Sequence, residues 1–368
     1  MSIEKLREYI SSIKETDQEA AVKARTRLDS LAKPPGSLGK LEDIAEKLSA
    51  ISGEMYYDTK KRCVIVMSSD NGVIEEGVSV TPQSVTLAQT INFVRGLTGV
   101  AVIAKQFNTD LIVVDVGINA DVDYPGIIDK KIRKSTWNIA KQEAMTYDEA
   151  VQAILIGIET AVQAVNDGYT LLGAGEMGVA NTTTSAAVLC ALTGLPSVQV
   201  AGKGAGLLED AYQHKIKVIQ KAVDSNKPNP DDPIDVLAKV GGFDLAAMTG
   251  VYLGGAYMRV PVVIDGFISM VAALAAARIS PTAKEYMFAS HESFEQGFVH
   301  ASQALGLDTC LKMNMRLGEG SGCPIMFAIM DAACGMMRDM ATFEEAEIDD
   351  IYLEDLRKGD DYFTVKKD

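Results

Sequence analysis

Six short apolar runs, each closing on a cluster of polar residues, set the tightest limit on what this chain can fold into. Cys63–Met67 runs into Ser68-Ser69-Asp70-Asn71-Gly72, Leu111–Val114 into Asp115-Val116-Gly117, and Tyr169–Leu172 into Gly173-Ala174-Gly175-Glu176-Met177-Gly178. Val198–Val200 leads to Gly202-Lys203-Gly204, Val260–Ile264 to Asp265-Gly266, and Tyr286–Ala289 to Ser290-His291-Glu292-Ser293. Helical stretches rich in Ala, Ile and Val, such as Ala150–Val165 and Lys215–Val223, lie between them. Strand, polar turn and helix in repetition predict an α/β fold: a mainly parallel, doubly wound, Rossmann-like sheet of about six strands, covered on both faces. Ligands bind such sheets beyond the carboxyl ends of the strands, where these clusters gather.

The ends of the chain read differently. Ile3, Leu6, Ile10 and Ile13 recur at helical spacing, and a second helical stretch runs to Leu31, where Pro34-Pro35-Gly36 stops it. Ser37 fits an N-cap for a helix over Leu38–Ile51, which leaves "KPPGSLGK" as linker punctuation. A long helix is expected from Pro324 to Met340, and residues 344–361 are strongly acidic, a solvated end or tail. At 368 residues the chain is long for one core, so a smaller attachment is expected beside the main domain.

Composition removes several classes. A net charge of −15 repels nucleic acid and anionic lipid. The five cysteines have no metal-ligand spacing and leave one unpaired, and with three histidines they give no zinc site; reduced thiols and a cytoplasmic location are expected, with no metal. The start has no signal-peptide pattern, and the uncharged run Val179–Gly202 contains Asn181, Thr182, Thr183, Thr184 and Pro196, so no membrane span is expected.

Three clusters carry chemistry. Gly173-x-Gly175-x-x-Gly178 matches a dinucleotide fingerprint, but Glu176 would face the pyrophosphate, and no acidic residue occurs between Glu176 and Glu209 to hold a ribose. A single phosphate suits the turn better, since Asn181, Thr182 and Thr183 add donors at a helix start; a close-packed glycine turn with a threonine-rich cap is the plainer reading. Gly202-Lys203-Gly204 is a second candidate anion turn, with Lys215 in the following helix. In Arg316-Leu317-Gly318-Glu319-Gly320-Ser321-Gly322, glycines flank a carboxylate and Arg316 offers a cation. Such a carboxylate in an apolar cavity has the position and raised basicity of a general base, the alternative being an ion-paired loop. His291 lacks a nucleophile elbow beside it and reads as a hydrogen-bonded loop residue.

Taken together, "RLDSLAKPPGSLGKLE" (27–42), "GEMGVANTTTSAA" (175–187), "VPVVIDGF" (260–267), "SHESFEQG" (290–297) and "MRLGEGSG" (315–322) resemble the nicotinate-nucleotide–dimethylbenzimidazole phosphoribosyltransferase family, in that family's order and from about residue 25 to 345. The resemblance implies transfer of the phosphoribosyl group of nicotinate mononucleotide to the lower-ligand base of a cobamide, giving an α-ribotide and nicotinate without a cofactor. It implies a small helical domain from both chain ends (1–35 and 335–368) beside a catalytic domain (36–334), and dimers with active sites near the partner. Glu319 would be the catalytic base. Glu176, Met177, Gly178, Asn181, Thr182, Thr183, Gly202, Gly204, Lys215, Ser290, Arg316, Leu317 and Gly318 would hold phosphate and ribose.

Two departures bear on the acceptor. Asp70-Asn71-Gly72 stands where the family has Asp-His-Gly, and Val80 and Ala88 stand where the base-pocket Ser and Gln are expected, with Gln89 one residue later. Asp70, Asn71, Val80, Pro82, Ala88 and Gln89 then form the expected acceptor pocket. An apolar pocket leaves ring nitrogens unpaired, which favours phenol or p-cresol over benzimidazoles. A catalytically silent subunit paired with an active homologue is the competing class; such a chain would be expected to lose its base and phosphate turn.

Overall fold

A computed structural model of the chain describes residues 2–353. Its strands are β1 (Arg62–Ser69), β2 (Asp110–Gly117), β3 (Ile127–Asp129), β4 (Leu171–Met177), β5 (Val262–Ile264) and β6 (Met287–Ala289). They form one sheet in the order β3-β2-β1-β4-β5-β6, with every neighbouring pair parallel. β1 is buried along its whole length, which explains its unbroken Cys-Val-Ile-Val-Met run: a central strand covered on both faces has no polar side to show. The sequential order reverses between β1 and β4, and that reversal opens a crevice at the strand ends.

Three sequence expectations change. Val198–Val200 lies in a one-turn helix, Ser197–Val200, entered from Pro196, with Val198 exposed; three apolar residues were too few to settle the period. The sixth strand is instead β3, a three-residue edge strand with little burial to mark it. β4 continues to Met177, so Gly173 and Gly175 are strand residues rather than a phosphate turn, and the following helix begins only at Asn181.

The uncharged Val179–Gly202 run contains the helix Asn181–Thr193, buried along most of its length inside the fold. Among the described residues, Ser84–Gln106 is long and apolar enough to cross a membrane by length and composition. It consists of the helices Ser84–Val94 and Gly99–Gln106, the second capped by the Thr98 side chain on the Ala101 N–H.

The described chain makes two compact units, residues 2–15 with Lys61–Met326, and 16–60 with 327–353. The first helix, Ile3–Ser11, therefore goes with the sheet rather than with the expected small domain: Leu6 is fully buried, Tyr9 packs edge-on against Tyr257 and Lys5 pairs with Glu159 at 2.6 Å. In the other unit the helices Gln18–Ser30 and Lys40–Ser52 pack together. "KPPGSLGK" is more than punctuation there. Lys33 is buried against Glu42 at 2.8 Å, and the same carboxylate accepts the Leu38 N–H at 2.9 Å, which folds the turn onto the helix it precedes. That helix starts at Lys40 behind Gly39, three residues past the expected Ser37 cap. The acidic stretch expected over 344–361, and the domain end at 368, extend outside the described residues.

Candidate active site

A cavity of about 310 Å³ opens at the ends of β4 and β5, in the sheet-bearing unit. Gly318, Glu319 and Gly320 follow one another with φ of +84°, +65° and +86°. A left-handed conformation is costly for a non-glycine residue, so Glu319 must be held there by its surroundings. Asp265, at the end of β5, does much of this: its carboxylate accepts the N–H groups of Gly320 at 3.1 Å and Gly322 at 2.6 Å. From below, Gly175 lets the Glu319 carbonyl rest directly on β4. The Glu319 side chain reaches the N-terminus of the helix Gly99–Gln106, where Oε2 accepts the Val100 N–H at 3.0 Å. Burial raises the basicity of this carboxylate, and the Val100 and Gly99 N–H groups hold part of the rise back. A buried, oriented carboxylate of raised pKa facing a cavity has the properties of a general base.

Beside it the helix Asn181–Thr193 points its N-terminus at the cavity; Ala180, at φ +72°, turns the chain into it, and Asn181 and Thr182 line the wall. The positive end of a helix dipole attracts an anion. Lys215 lies directly behind, fully buried, its Nζ donating to Thr182 Oγ1 at 2.8 Å. Desolvation pulls its pKa down to about 8, partly offset by Glu295. Gly204 lines the same wall.

Glu176 and Asp244 share Asn181, whose amide donates to both. Burial, with Asp244 beside it, pushes Glu176 up to about 8; burial raises Asp244 to about 6 and Asp265 to about 7. Glu176 Oε1 also accepts the Glu319 N–H at 3.3 Å, tying β4 to the loop of Glu319.

Of the residues expected at the phosphate and ribose, the cavity brings together Glu176, Met177, Gly178, Asn181, Thr182, Gly204, Arg316, Leu317 and Gly318. It leaves out Thr183, buried in the helix; Gly202, packed on Glu295; Lys215, one layer behind; and Ser290, whose hydroxyl is committed to the Asp265 carbonyl. The serine of that segment on the wall is Ser293. The acceptor expectations fare worse. Val80 is 57% exposed and, like Pro82 and Ala88, is not part of the wall, while Asp70 and Asn71 are buried beneath it. Gln89 does line the cavity, with Ser79, Thr81 and Val85. The polar pair is thus shifted by one residue on each side of the expected positions, and this wall is not apolar. Asp265, Ser293 and Ser79 were not among the expected site residues; the signal for the first two was that they stand in the polar clusters that close apolar runs. Among the described residues no cluster of His, Cys, Asp and Glu has metal-binding geometry.

A family model described as "Phosphoribosyltransferase" matches residues 13–348. A curated protein of Clostridium perfringens named nicotinate-nucleotide–dimethylbenzimidazole phosphoribosyltransferase is 55% identical over 360 residues, 98% of this chain and 100% of its own length. One of the same name from Ruminiclostridium cellulolyticum is 52% identical over 342 residues, covering 93% and 97%. The crystal structure of the Thermus thermophilus enzyme of that name superimposes with a TM-score of 0.86 at 38% identity, covering 90% of this chain and 99% of that one. Identity of this extent, over nearly the full length and with the strand-end cavity on the same chain, places the protein in the nicotinate-nucleotide–dimethylbenzimidazole phosphoribosyltransferase family.

Proposed function

We propose that this phosphoribosyltransferase moves the 5-phosphoribosyl group of nicotinate mononucleotide onto a ring nitrogen of a benzimidazole-type base, giving the α-ribotide and nicotinate. The observation that carries the reading is the pairing of an anion seat, at the start of the helix Asn181–Thr193, with the Glu319 carboxylate across one cavity. The phosphate sits at that helix start, with Lys215 behind Thr182 supplying charge. The bond from C1′ to the pyridinium nitrogen breaks, and nicotinate leaves with the electron pair as a neutral ring. The unprotonated ring nitrogen of the acceptor attacks C1′ from the opposite face, and the proton on its other ring nitrogen passes to Glu319. The same carboxylate stabilises the oxocarbenium-like charge at C1′.

Ser79 and Gln89 favour a nitrogen heterocycle over a phenol, because hydroxyl and amide groups on the wall can pair with ring nitrogens that an apolar wall would leave unsatisfied. The exposed Leu97 and Val102 flank Gly99, which abuts Leu317 of the cavity wall, and they support a dimer in which a partner covers the mouth. The purified chain should release nicotinate from nicotinate mononucleotide with dimethylbenzimidazole, and Gln89→Leu should lower kcat/KM for that base about tenfold while sparing p-cresol. Turnover with phenols alone would overturn the acceptor assignment. Absence of turnover with any base would favour the silent-subunit reading, to be checked by mixing with a related active chain.

A further inference from the structure

Among the groups on the cavity wall that the proposed chemistry leaves unused is the ring of His291, at the end of β6. The ring is buried, and its two nitrogens face different surroundings. Nδ1 lies 2.9 Å from Ser290 Oγ, 3.9 Å from the Asp265 carboxylate, and against Gly322 in the loop of the base. Nε2 faces the other way: a Cβ built on Gly266 would stand 3.7 Å from it and 3.5 Å from Ser293 Oγ, and Gly266 and Ser293 both line the cavity. Ser290 has one hydroxyl proton, and it is donated to the Asp265 carbonyl at 3.1 Å. Ser290 Oγ can then only accept from His291, so Nδ1 carries the hydrogen, as the nearby carboxylate also prefers. A neutral imidazole protonated at Nδ1 has a bare lone pair at Nε2. Among the described residues Nε2 makes no hydrogen bond to protein.

The geometry points to His291 as a specificity-determining acceptor: on the phosphoribosyl-transfer reading, its Nε2 lone pair takes a hydrogen bond from a ribose hydroxyl of the donor nucleotide. The phosphate is excluded as the partner because a lone pair repels its oxygens; of the donor's groups, only the ribose hydroxyls bring a hydrogen. Burial keeps the ring neutral by pulling its pKa down to about 4, so the acceptor persists throughout the physiological range. The same Ser290–Asp265 network ties the ring to Gly320 and Gly322, and so to the loop that carries Glu319.

Nicotinate release should be measured for the wild-type chain, His291→Phe and His291→Gln, each with nicotinate mononucleotide and its 2′-deoxy and 3′-deoxy analogues. The wild type should discriminate against one deoxy analogue. His291→Phe should lower kcat/KM for the full donor about tenfold and lose nothing further on that analogue, whereas His291→Gln, whose amide oxygen can accept, should recover most of the difference. Equal losses on all three donors, or no loss, would overturn the assignment while leaving phosphoribosyl transfer intact. No nicotinate release by the wild type from any donor would overturn the transfer reading and this inference together. Independently of activity, nitrogen NMR of the wild-type protein should show His291 protonated at Nδ1, and protonation at Nε2 would refute the proposal even if the variants fail to fold.

Discussion

Gly175 offers a way to move Glu319, the proposed base, without touching it. The residue is in β4 at a backbone conformation that alanine can adopt, yet a Cβ there would stand 2.9 Å from the Glu319 carbonyl carbon and 3.0 Å from the Gly320 nitrogen, and closer still to the Glu319 carbonyl oxygen. Ordinary contact begins near 3.4 Å, so the loop must withdraw by at least 0.5 Å at the carbon (3.4 − 2.9) and further at the oxygen. The obstacle is backbone on both sides, so no rotamer change relieves it. Displacing a catalytic group by about 1 Å costs roughly 100-fold in rate, and overpacking of this kind costs about 1–3 kcal/mol in stability. Gly175→Ala should therefore fold, with a Tm lower by a few degrees, and should lose about 100-fold in kcat for nicotinate release while KM for the donor stays within a few-fold. The anion seat is built on a different segment, the helix start at Asn181, and is joined to the moving loop through the Glu176 side chain, so it should shift less than Glu319. A folded Gly175→Ala protein with kcat within twofold of wild type would refute the reasoning, because it would show that the loop need not rest on β4 for Glu319 to work.

Other expectations concern the charges around the cavity. Glu319→Gln keeps an acceptor for the Val100 N–H but cannot take a proton, so kcat should fall by about 10² to 10⁴ with donor binding nearly unchanged in calorimetry. Lys215 in the free protein loses its charge near pH 8, so donor KM should rise about tenfold per pH unit above that point, and Lys215→Met should abolish the trend. Glu176 is raised in the folded state to about 8 from an ordinary 4.5, so the folded protein binds that proton more tightly than the unfolded chain. Its contribution to stability is fully present below pH 4.5 and drains away as pH rises through 8. Thermal melts of wild type and Glu176→Gln should accordingly shift in favour of the variant between pH 5 and 8, and parallel curves would show that Glu176 does not titrate there.

The fold class was legible because parallel strands buried on both faces need long apolar runs, and each such run must end in polar residues where the strand leaves the sheet. Five of the six runs became strands for that reason, and the one that failed, Val198–Val200, was the shortest and followed a proline. The loop of Glu319 was legible too, since glycines on both sides of a carboxylate permit a backbone that few other residues tolerate. Register was not. Whether Val80 and Ala88 or Ser79 and Gln89 face the cavity depends on how the segment after β1 turns into the helix Ser84–Val94, and a one-residue slip reverses the polarity of the wall. The roles of Asp265, Ser290 and His291 were likewise closed to a linear reading. What they do depends on strand ends brought together by the pairing of β5 with β6, where a carboxylate, a hydroxyl and an imidazole distant from Glu319 along the chain come to fix its loop and to leave a single nitrogen facing the cavity. Residue types and their periodicity carried the architecture and the loop of Glu319; the direction of each side chain, and with it the chemistry of the cavity wall, was decided only when the strands stood side by side.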